Sequence, residues 1–392
     1  MLKVVMLLDN EFTTDGRVIR EAKAIAAAGH DLTLFAIKAN GLPDEAEWKG
    51  IHIRRIFTTA VTRFREKKYM QRMAEQIAKQ EMQVLHCHDH HMFHLGVLVK
   101  KLRPDVKLIY DSHELFHAWP LNLTKEMSMW LKLKSWLVRK LEIRRERFNA
   151  SYIDYLVTVN QSLSDILGKY FAVKIPPTIV RNISERQLPE GQASVLRDKF
   201  RIPAHHKIIV HIAAHLFWES KNLDMIFNQL GNLDDISLVF ICTKNRYSEE
   251  VEKQARLRGL KNIYFHPAIP QKEVTKFLSS ADIGIVTTWN KKNLSYWYAL
   301  DNKIFNYIAA HIPILATAQP EYANIIVTNQ IGVCVDADQP EAFRNGLKEL
   351  LANYDRFKQN IKAASEILHW DIEKEKLLDL YRTIESGIAS HR

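Results

Sequence analysis

Short apolar runs, each followed by a polar loop and then by a segment with apolar residues three and four apart, recur along this chain. Lys3 to Leu8 reads as a buried strand, Asp9 to Asp15 as a loop, and Gly16 to about Ala28 as a helix with Val18, Ala22, Ile25 and Ala26 on one face. Gly29 ends that helix, and Asp31 to Ile37 is the next strand, so the chain opens as a βαβ unit with parallel pairing. Strands are predicted at Ile51–Phe57, Val84–Cys87, Lys107–Tyr110 and Val157–Val159, with helices over Arg63–Lys79, Met127–Phe148 and Gln161–Tyr170. Pro176, Pro177 and the segment NISERQLPEGQ interrupt the alternation near residues 180 to 195. A second series begins at Lys207–Ala213 and continues through strands at Ser237–Cys242, Ile263–Phe265, Ile283–Val286 and Val333–Val335. Its helices fall at Leu223–Leu230, Tyr247–Leu257, Glu273–Leu278 and Pro340 to about Tyr354, and Trp370–Ile384 is a last amphipathic helix. The expectation is an α/β chain of two doubly wound, Rossmann-like halves, residues 1–182 and 183–369, facing across a cleft lined by the carboxyl ends of both sheets.

Within the second series, YWYALDNKIFNYIAAHIPILAT, residues 296 to 317, reads as loop, helix and buried strand. Asp301 and Asn302 are placed to cap a helix running through Lys303, Phe305 and Tyr307, which Pro313 stops. A loop that opens a helix N-terminus is suited to an anion, although such a unit is also ordinary α/β scaffolding.

Bulk properties narrow the class. A chain of 392 residues, 47% hydrophobic and with few Gly and Pro, implies a globular protein of about two domains. Asp9 interrupts the first apolar run, so MLKVVMLLDN reads as a strand rather than a signal peptide, and no run is long enough to span a bilayer. Cys87, Cys242 and Cys334 lie in or beside strand-like runs and read as buried thiols of a cytoplasmic protein. A net charge of +10 asks for an anionic partner. With no zinc-finger spacing and no aromatic RNA-binding motif, nucleic acid is the least favoured, leaving phosphorylated substrates and an anionic membrane face.

Several positions could carry chemistry. Only Gly16 follows the first strand where a dinucleotide fold needs three glycines, so that fold is rejected; Gly16 either admits a ligand to the backbone or simply starts a helix. HCHDHH, residues 86 to 91, is histidine-rich but lies at a strand end without a completing acidic or thiolate set, so no metal is expected. Asp111, Ser112, His113 and Glu114 fall at the carboxyl end of a strand, the ligand-binding edge of an open sheet. There His113 is either a proton or hydrogen-bond partner or a passenger in a helix cap. Trp130, Leu133, Leu137 and Leu141 form a stripe flanked by Lys132, Lys134, Arg139 and Arg145 that suits a membrane face or, equally, a core-facing helix with one wet end.

Taken together and in order, DGRVIREAKAIAAAGH (15–30), YDSHE (110–114), YIDYLVTVNQSL (152–163), AHLFWESKN with Lys221 and Asn222, and DNKIFNYIAAHIP (301–313) resemble a GT-B-fold glycosyltransferase of the retaining family-4 type. The resemblance spans almost the whole chain. It implies that the C-terminal helix, residues 370–392, packs back on the first domain. It also implies a nucleotide-sugar co-substrate in place of a cofactor, held by the second domain, and a glycan or lipid-linked acceptor held by the first. His113 would stand near the transferred sugar and Lys221 would neutralise the diphosphate. Gly16, Asn222, Tyr298, Ala299, Leu300, Asp301, Asn302 and Asn306 would bind donor, with Asp15, Arg17, His88, Asp89 and Glu114 on the acceptor side. The implied activity is hexosyl transfer with retention, in cell-surface polysaccharide synthesis at the cytoplasmic membrane face.

The chain departs from that family at chosen places. The expected pair of glutamates falls on Tyr298 and Asn306, the arginine before Lys221 is absent from His215–Leu216–Phe217, and His311 replaces the glycine before Pro. Asn306 keeps an acceptor but removes a charge. Two alternatives therefore stand beside an active transferase: a non-catalytic binding or scaffold subunit, and a sugar-nucleotide epimerase or phosphorylase on the same fold.

Overall fold

The computed structural model describes residues 1–58, 66–119, 121, 127–187, 194–219, 221–231 and 233–390. It divides into two compact units, Met1–Asn182 with Glu373–Arg392, and Ile183–Ile372.

The first unit runs β1 (Lys3–Leu7), α1 (Gly16–Ala27), β2 (Asp31–Ile37), β3 (Glu45–Trp48), β4 (Ile51–Phe57), α2 (Lys67–Ala78), β5 (Val84–His88) and α3 (Asp89–Leu102). It continues through β6 (Lys107–Ser112), α4 (Met129–Asn149), β7 (Tyr155–Thr158), α5 (Gln161–Phe171) and β8 (Thr178–Ile179). The eight strands lie in the order β3-β4-β2-β1-β5-β6-β7-β8, parallel except for β3, which pairs antiparallel with β4. The chain works outward from β1 to one edge and then returns to β5 on its other side. The loops after β1 and β5 therefore diverge at a topological switch point, where open sheets hold ligands. Asp15 caps α1 by accepting from the Val18 N–H at 3.2 Å, and Asn160 caps α5 in the same way.

The second unit comprises α6 (Val195–Phe200), β9 (Lys207–Ala213), α7 (Leu223–Leu230), β10 (Ile236–Cys242), α8 (Arg246–Leu257), β11 (Ile263–Pro267), α9 (Val274–Leu278) and β12 (Ile283–Val286). After these come α10 (Leu294–Trp297), α11 (Asn302–Ala309), β13 (Ile314–Thr317), α12 (Pro320–Ile326), β14 (Gly332–Val335), α13 (Ala342–Ala352) and α14 (Tyr354–Ser365). All six strands are parallel, in the order β11-β10-β9-β12-β13-β14, and the switch point lies between β9 and β12. A strand covered on both faces reads as a nearly continuous apolar run, and β10, buried at every position, is such a strand, with Ser237 bonded to His206 at 2.9 Å. The last helix, α15 (Trp370–Ala389), belongs to the first unit from Glu373 onward. There Leu377, Leu380, Tyr381 and Ile384 are buried, while Ile372, expected on the apolar face, is exposed.

Several expectations need correcting. The helix predicted from Arg63 begins at Lys67, and its Tyr69, Met70, Ala74 and Ile77 are buried; Arg63 and Arg65 lie outside the described residues. α3 was masked by its histidines, of which His90 and His94 stand one turn apart on a buried face. The α4 alternatives separate too. Its buried residues are Glu146 and Asn149, whereas Trp130, Leu133, Leu141 and Phe148 are 66%, 55%, 66% and 76% exposed, so the core-facing reading fails.

One contact sets the position of α11. The Tyr307 ring lies over Gly284 of β12, where an added Cβ would come 2.4 Å from the ring. The phenol donates to Val210 and Ile285 carbonyls at 3.2 and 3.1 Å and accepts from the Ile212 N–H at 3.2 Å. Gly284→Ala should destabilise the chain by about 1–3 kcal/mol through overpacking. Chemical denaturation checks this, and an unchanged midpoint would show that α11 does not depend on the close approach.

Candidate functional site

In the second unit a cavity of about 580 Å³ opens at the β9/β12 switch point, lined by the loop after β9, the residues after β12 and the N-terminus of α11. Lys221 reaches it from the first of these, and its Nζ donates to Thr288 Oγ1 at 2.9 Å. Asp301 Oδ2 accepts from Thr288 Oγ1 at 3.4 Å and pairs with Lys303 Nζ at 2.9 Å. Two ammonium groups thus share one carboxylate. Burial opposes ionisation of Asp301, but Lys303 and Lys221 outweigh it and hold its carboxyl below the ordinary range. Burial, reinforced by Lys303, brings Lys221 down to about 8. His211 on β9 is held neutral by burial and by the same two lysines. The loops are pinned from behind. The Asn222 amide donates to the Thr287 carbonyl at 2.7 Å, and the Thr288 carbonyl accepts from Thr317 Oγ1 at 2.6 Å and from Gln319 Nε2 at 2.8 Å.

Of the residues predicted on the donor side, Lys221, Ala299, Asp301, Asn302 and Asn306 line this cavity. Leu300 instead packs against the core and Asn222 braces the loops. The Tyr298 and Ala299 N–H groups are already engaged, donating to the Leu294 and Tyr296 carbonyls in the turn of α10. Nor does the Asp301 side chain cap α11, since its carboxylate is turned to Lys303. Lys303 was missed as a site residue. Its signal was available: a lysine in the first turn of a helix opposes the helix dipole and needs another reason to be there.

In the first unit the carboxyl ends of β1, β5 and β6 bring Asp9, Asp89 and His113 together. Asp89 has a left-handed backbone, φ 61°, at the start of α3, and its carboxylate faces the His113 N–H and Nδ1, each at 3.2 Å. His113 Nε2 accepts from Arg17 Nε at 3.0 Å and lies 3.4 Å from Asp111. Burial disfavours charge on the imidazole, yet Asp89 and Asp111 overcome it and raise its pKa well above the usual value. Taking up that proton requires the Arg17 Nε–H to turn toward Glu21 Oε1, which is 2.9 Å away. Arg17 itself is buried, donating to both Asp111 oxygens at 3.0 Å and to the Val180 carbonyl at 2.6 Å. It therefore orders the site from beneath. Asp15 and His88 are also structural in placement, one as a helix cap and the other buried against His86 with the rings 4.5 Å apart. Gly16 begins α1, with Arg20 the nearest neighbour to an added Cβ. Glu114 has an exposed side chain, and partial desolvation together with the nearby Asp89 charge raises its pKa. Asp9, which in the sequence only opens the polar loop after the first strand, is pushed up to about 6 by burial and by Asp89.

The ground on which HCHDHH was set aside for metal binding needs correcting, since an acidic pair does join it. Glu21, His86, His88 and Asp111 place ligand atoms within 4.8 Å of one another. Arg17 lies against both carboxylates and already supplies positive charge there. His86 is fixed separately, through Nδ1, by the Tyr381 hydroxyl of α15 at 2.9 Å.

Comparison with known proteins agrees with this fold. Residues 17–183 match the model of Glycosyltransferase Family 4, and residues 206–353 match that of Glycosyl transferases group 1. The chain belongs to the group-1, family-4 glycosyltransferases, with the two α/β domains of the GT-B fold. Among relatives, WcaI of Escherichia coli strain K12, named as a colanic acid biosynthesis glycosyl transferase, is 24% identical over 63% of this chain and 60% of its own length. The chain thus matches about three-fifths of that relative. Sucrose-phosphate synthase from Thermosynechococcus elongatus is similar in structure, with TM-score 0.74 and 14% identity over 99% of this chain and 100% of its own. HepE of Anabaena, solved with UDP, has TM-score 0.72 and 10% identity over 97% and 100% of the two chains. HepE has also been solved with UDP-glucose.

Replacing Arg17 by Met should cost about 3–5 kcal/mol, because Asp111 is left buried without its counter-ion. Asp111 is held well below the usual carboxylate range, against burial, by Arg17 and then His113. Its contribution is therefore complete at neutral pH and lost as pH falls. The deficit of Arg17→Met, read from urea melts, should shrink toward acid pH; a deficit independent of pH would exclude the ion pair as its source.

Proposed function

We propose that this protein transfers a sugar from a nucleotide-sugar donor, bound in the cavity of the second unit, to a glycan or lipid-linked acceptor bound by the first. The observation that carries this reading is the recessed pair of lysines at the switch point beside the N-terminus of α11, which suits a diphosphate. In the reaction the bond from the anomeric carbon to the diphosphate oxygen breaks and its electron pair leaves with the nucleotide. The acceptor oxygen bonds to that carbon, and its proton passes to the departing phosphate. Lys221 and α11 supply the positive charge that develops opposite the leaving group, a role that does not require a resident metal. Retention of configuration follows from attack on the face the nucleotide leaves. His113, between Asp89 and Asp111, is the group assigned to the transferred sugar. The relative named for colanic acid biosynthesis supports surface polysaccharide assembly as the setting.

A peripheral position on the cytoplasmic face of the membrane accompanies this function. Among the described residues no helix is long and apolar enough to cross a bilayer. α4 instead exposes Trp130, Leu133, Trp136, Leu141 and Phe148 among seven lysines and arginines and two glutamates. Exposed aromatic rings beside cations suit the interface of an anionic bilayer.

Incubation with UDP-, GDP- and ADP-sugars and an acceptor extract should release free nucleotide from one class. Release from none would count against the transferase and favour a binding subunit, and isomerised donor without release would favour an epimerase. His113→Ala should lower turnover by about 10²- to 10⁴-fold; full activity would remove the assignment. Sedimentation with phosphatidylglycerol vesicles should fall steeply with salt and be abolished by Trp130→Ser with Trp136→Ser. Binding that survives both would exclude α4 as the contact.

A further inference from the structure

The donor cavity holds more positive charge than the loop after β9 alone provides. Where the family carries an arginine shortly before Lys221, this chain has His215–Leu216–Phe217, and His215 Nδ1 is engaged by the Asn245 side chain at 2.9 Å. Lys303 comes from a different element, α11, yet its amine bears on the same carboxylate as Lys221: it pairs with Asp301 directly, and Lys221 reaches Asp301 through Thr288 Oγ1. Its side chain is 11% exposed and lines the cavity.

We propose that Lys303 is the second diphosphate-binding cation, and that Asp301 is a positioning residue that holds Lys303 and Lys221 together until a nucleoside diphosphate takes its place as their counter-ion. The proposal rests on the donor-cavity reading above and adds to it a residue and a proton linkage. Asp301 keeps two like charges stable while the cavity is empty. A bound diphosphate adds at least two negative charges to the cluster, so both amines remain protonated in the complex. The groups facing Lys221 are Thr288 after β12, Asp301 just before α11, Lys303 in its first turn, His211 on β9 and, behind Asp301, Tyr322 on α12. Burial holds His211 neutral and keeps the Tyr322 phenol protonated, which leaves Asp301 and Lys303 as the charges that govern Lys221.

Because Lys221 titrates near 8 in the free protein, binding above that pH requires uptake of a proton. The dissociation constant for UDP should then rise by about tenfold per pH unit above the break. The test is calorimetric titration of the full chain with UDP, GDP, ADP and uridine between pH 7 and pH 9.5. Lys303→Gln should weaken the preferred diphosphate by about ten- to a hundredfold at pH 7.5. It should leave uridine affinity unchanged and move the break to higher pH, since the repulsion on Lys221 is gone. Asp301→Asn should move the break to lower pH, and Lys303→Arg should restore most of the affinity. Diphosphate binding that Lys303→Gln leaves unchanged in both strength and break overturns the clamp while sparing the donor site. Absence of UDP, GDP and ADP binding by the unaltered protein overturns both. Loss of uridine and diphosphate binding together in Lys303→Gln would show a merely structural lysine.

Discussion

The carboxylate of Asp301 is what allows two lysine ammonium groups to stand together in a recess between β9 and β12. Two such cations would repel strongly once partly removed from water, and each would favour its neutral form. One negative charge between them offsets that repulsion and leaves a cluster with an excess of positive charge facing the cavity. The surrounding fold serves this arrangement. Tyr307 on Gly284 fixes α11 to the sheet, Asn222 ties the β9 loop to Thr287, and Thr317 and Gln319 hold the Thr288 carbonyl.

The first unit solves a related problem with the signs exchanged. Asp111 is fully buried at the end of β6, and Arg17 reaches it from α1 across the switch point. The same guanidinium meets Glu21, whose carboxyl is pushed up to about 8 by burial despite Arg17. Arg17 therefore stands between a firmly ionised carboxylate, an easily protonated one and the imidazole of His113. That buried network orients the face of His113 turned to Asp89, and it explains why a motif spread over α1 and β6 behaves as one structural unit.

Much of the architecture was legible in residue order. Apolar runs of four to seven residues, separated by loops and by helices of period 3.6, dictate parallel strands with crossover helices. Asp15 and Asn160 announce their helices because a side-chain oxygen there satisfies an orphan N–H. Elements whose faces were disguised were not legible: α3, because four of its first six residues are His or Asp where apolar ones would show the period, and β3, because EAEW pairs only at an edge. For α4 the sequence offered membrane and core equally; burial, which depends on what packs against the helix, excluded the core.

By itself the sequence determined the two-domain α/β fold, the family, and the segments that carry Lys221, Asp301, Asn306 and His113, since periodicity and local motif spacing are properties of the chain in order. Only the tertiary structure decided which charges meet. That Lys303 stands beside Lys221, that Asp301 serves both amines rather than capping α11, and that Glu21 and Asp111 join His86 and His88 are contacts between distant elements. The physical reason is that electrostatic interaction depends on distance and burial, and neither is encoded at any single position along the chain.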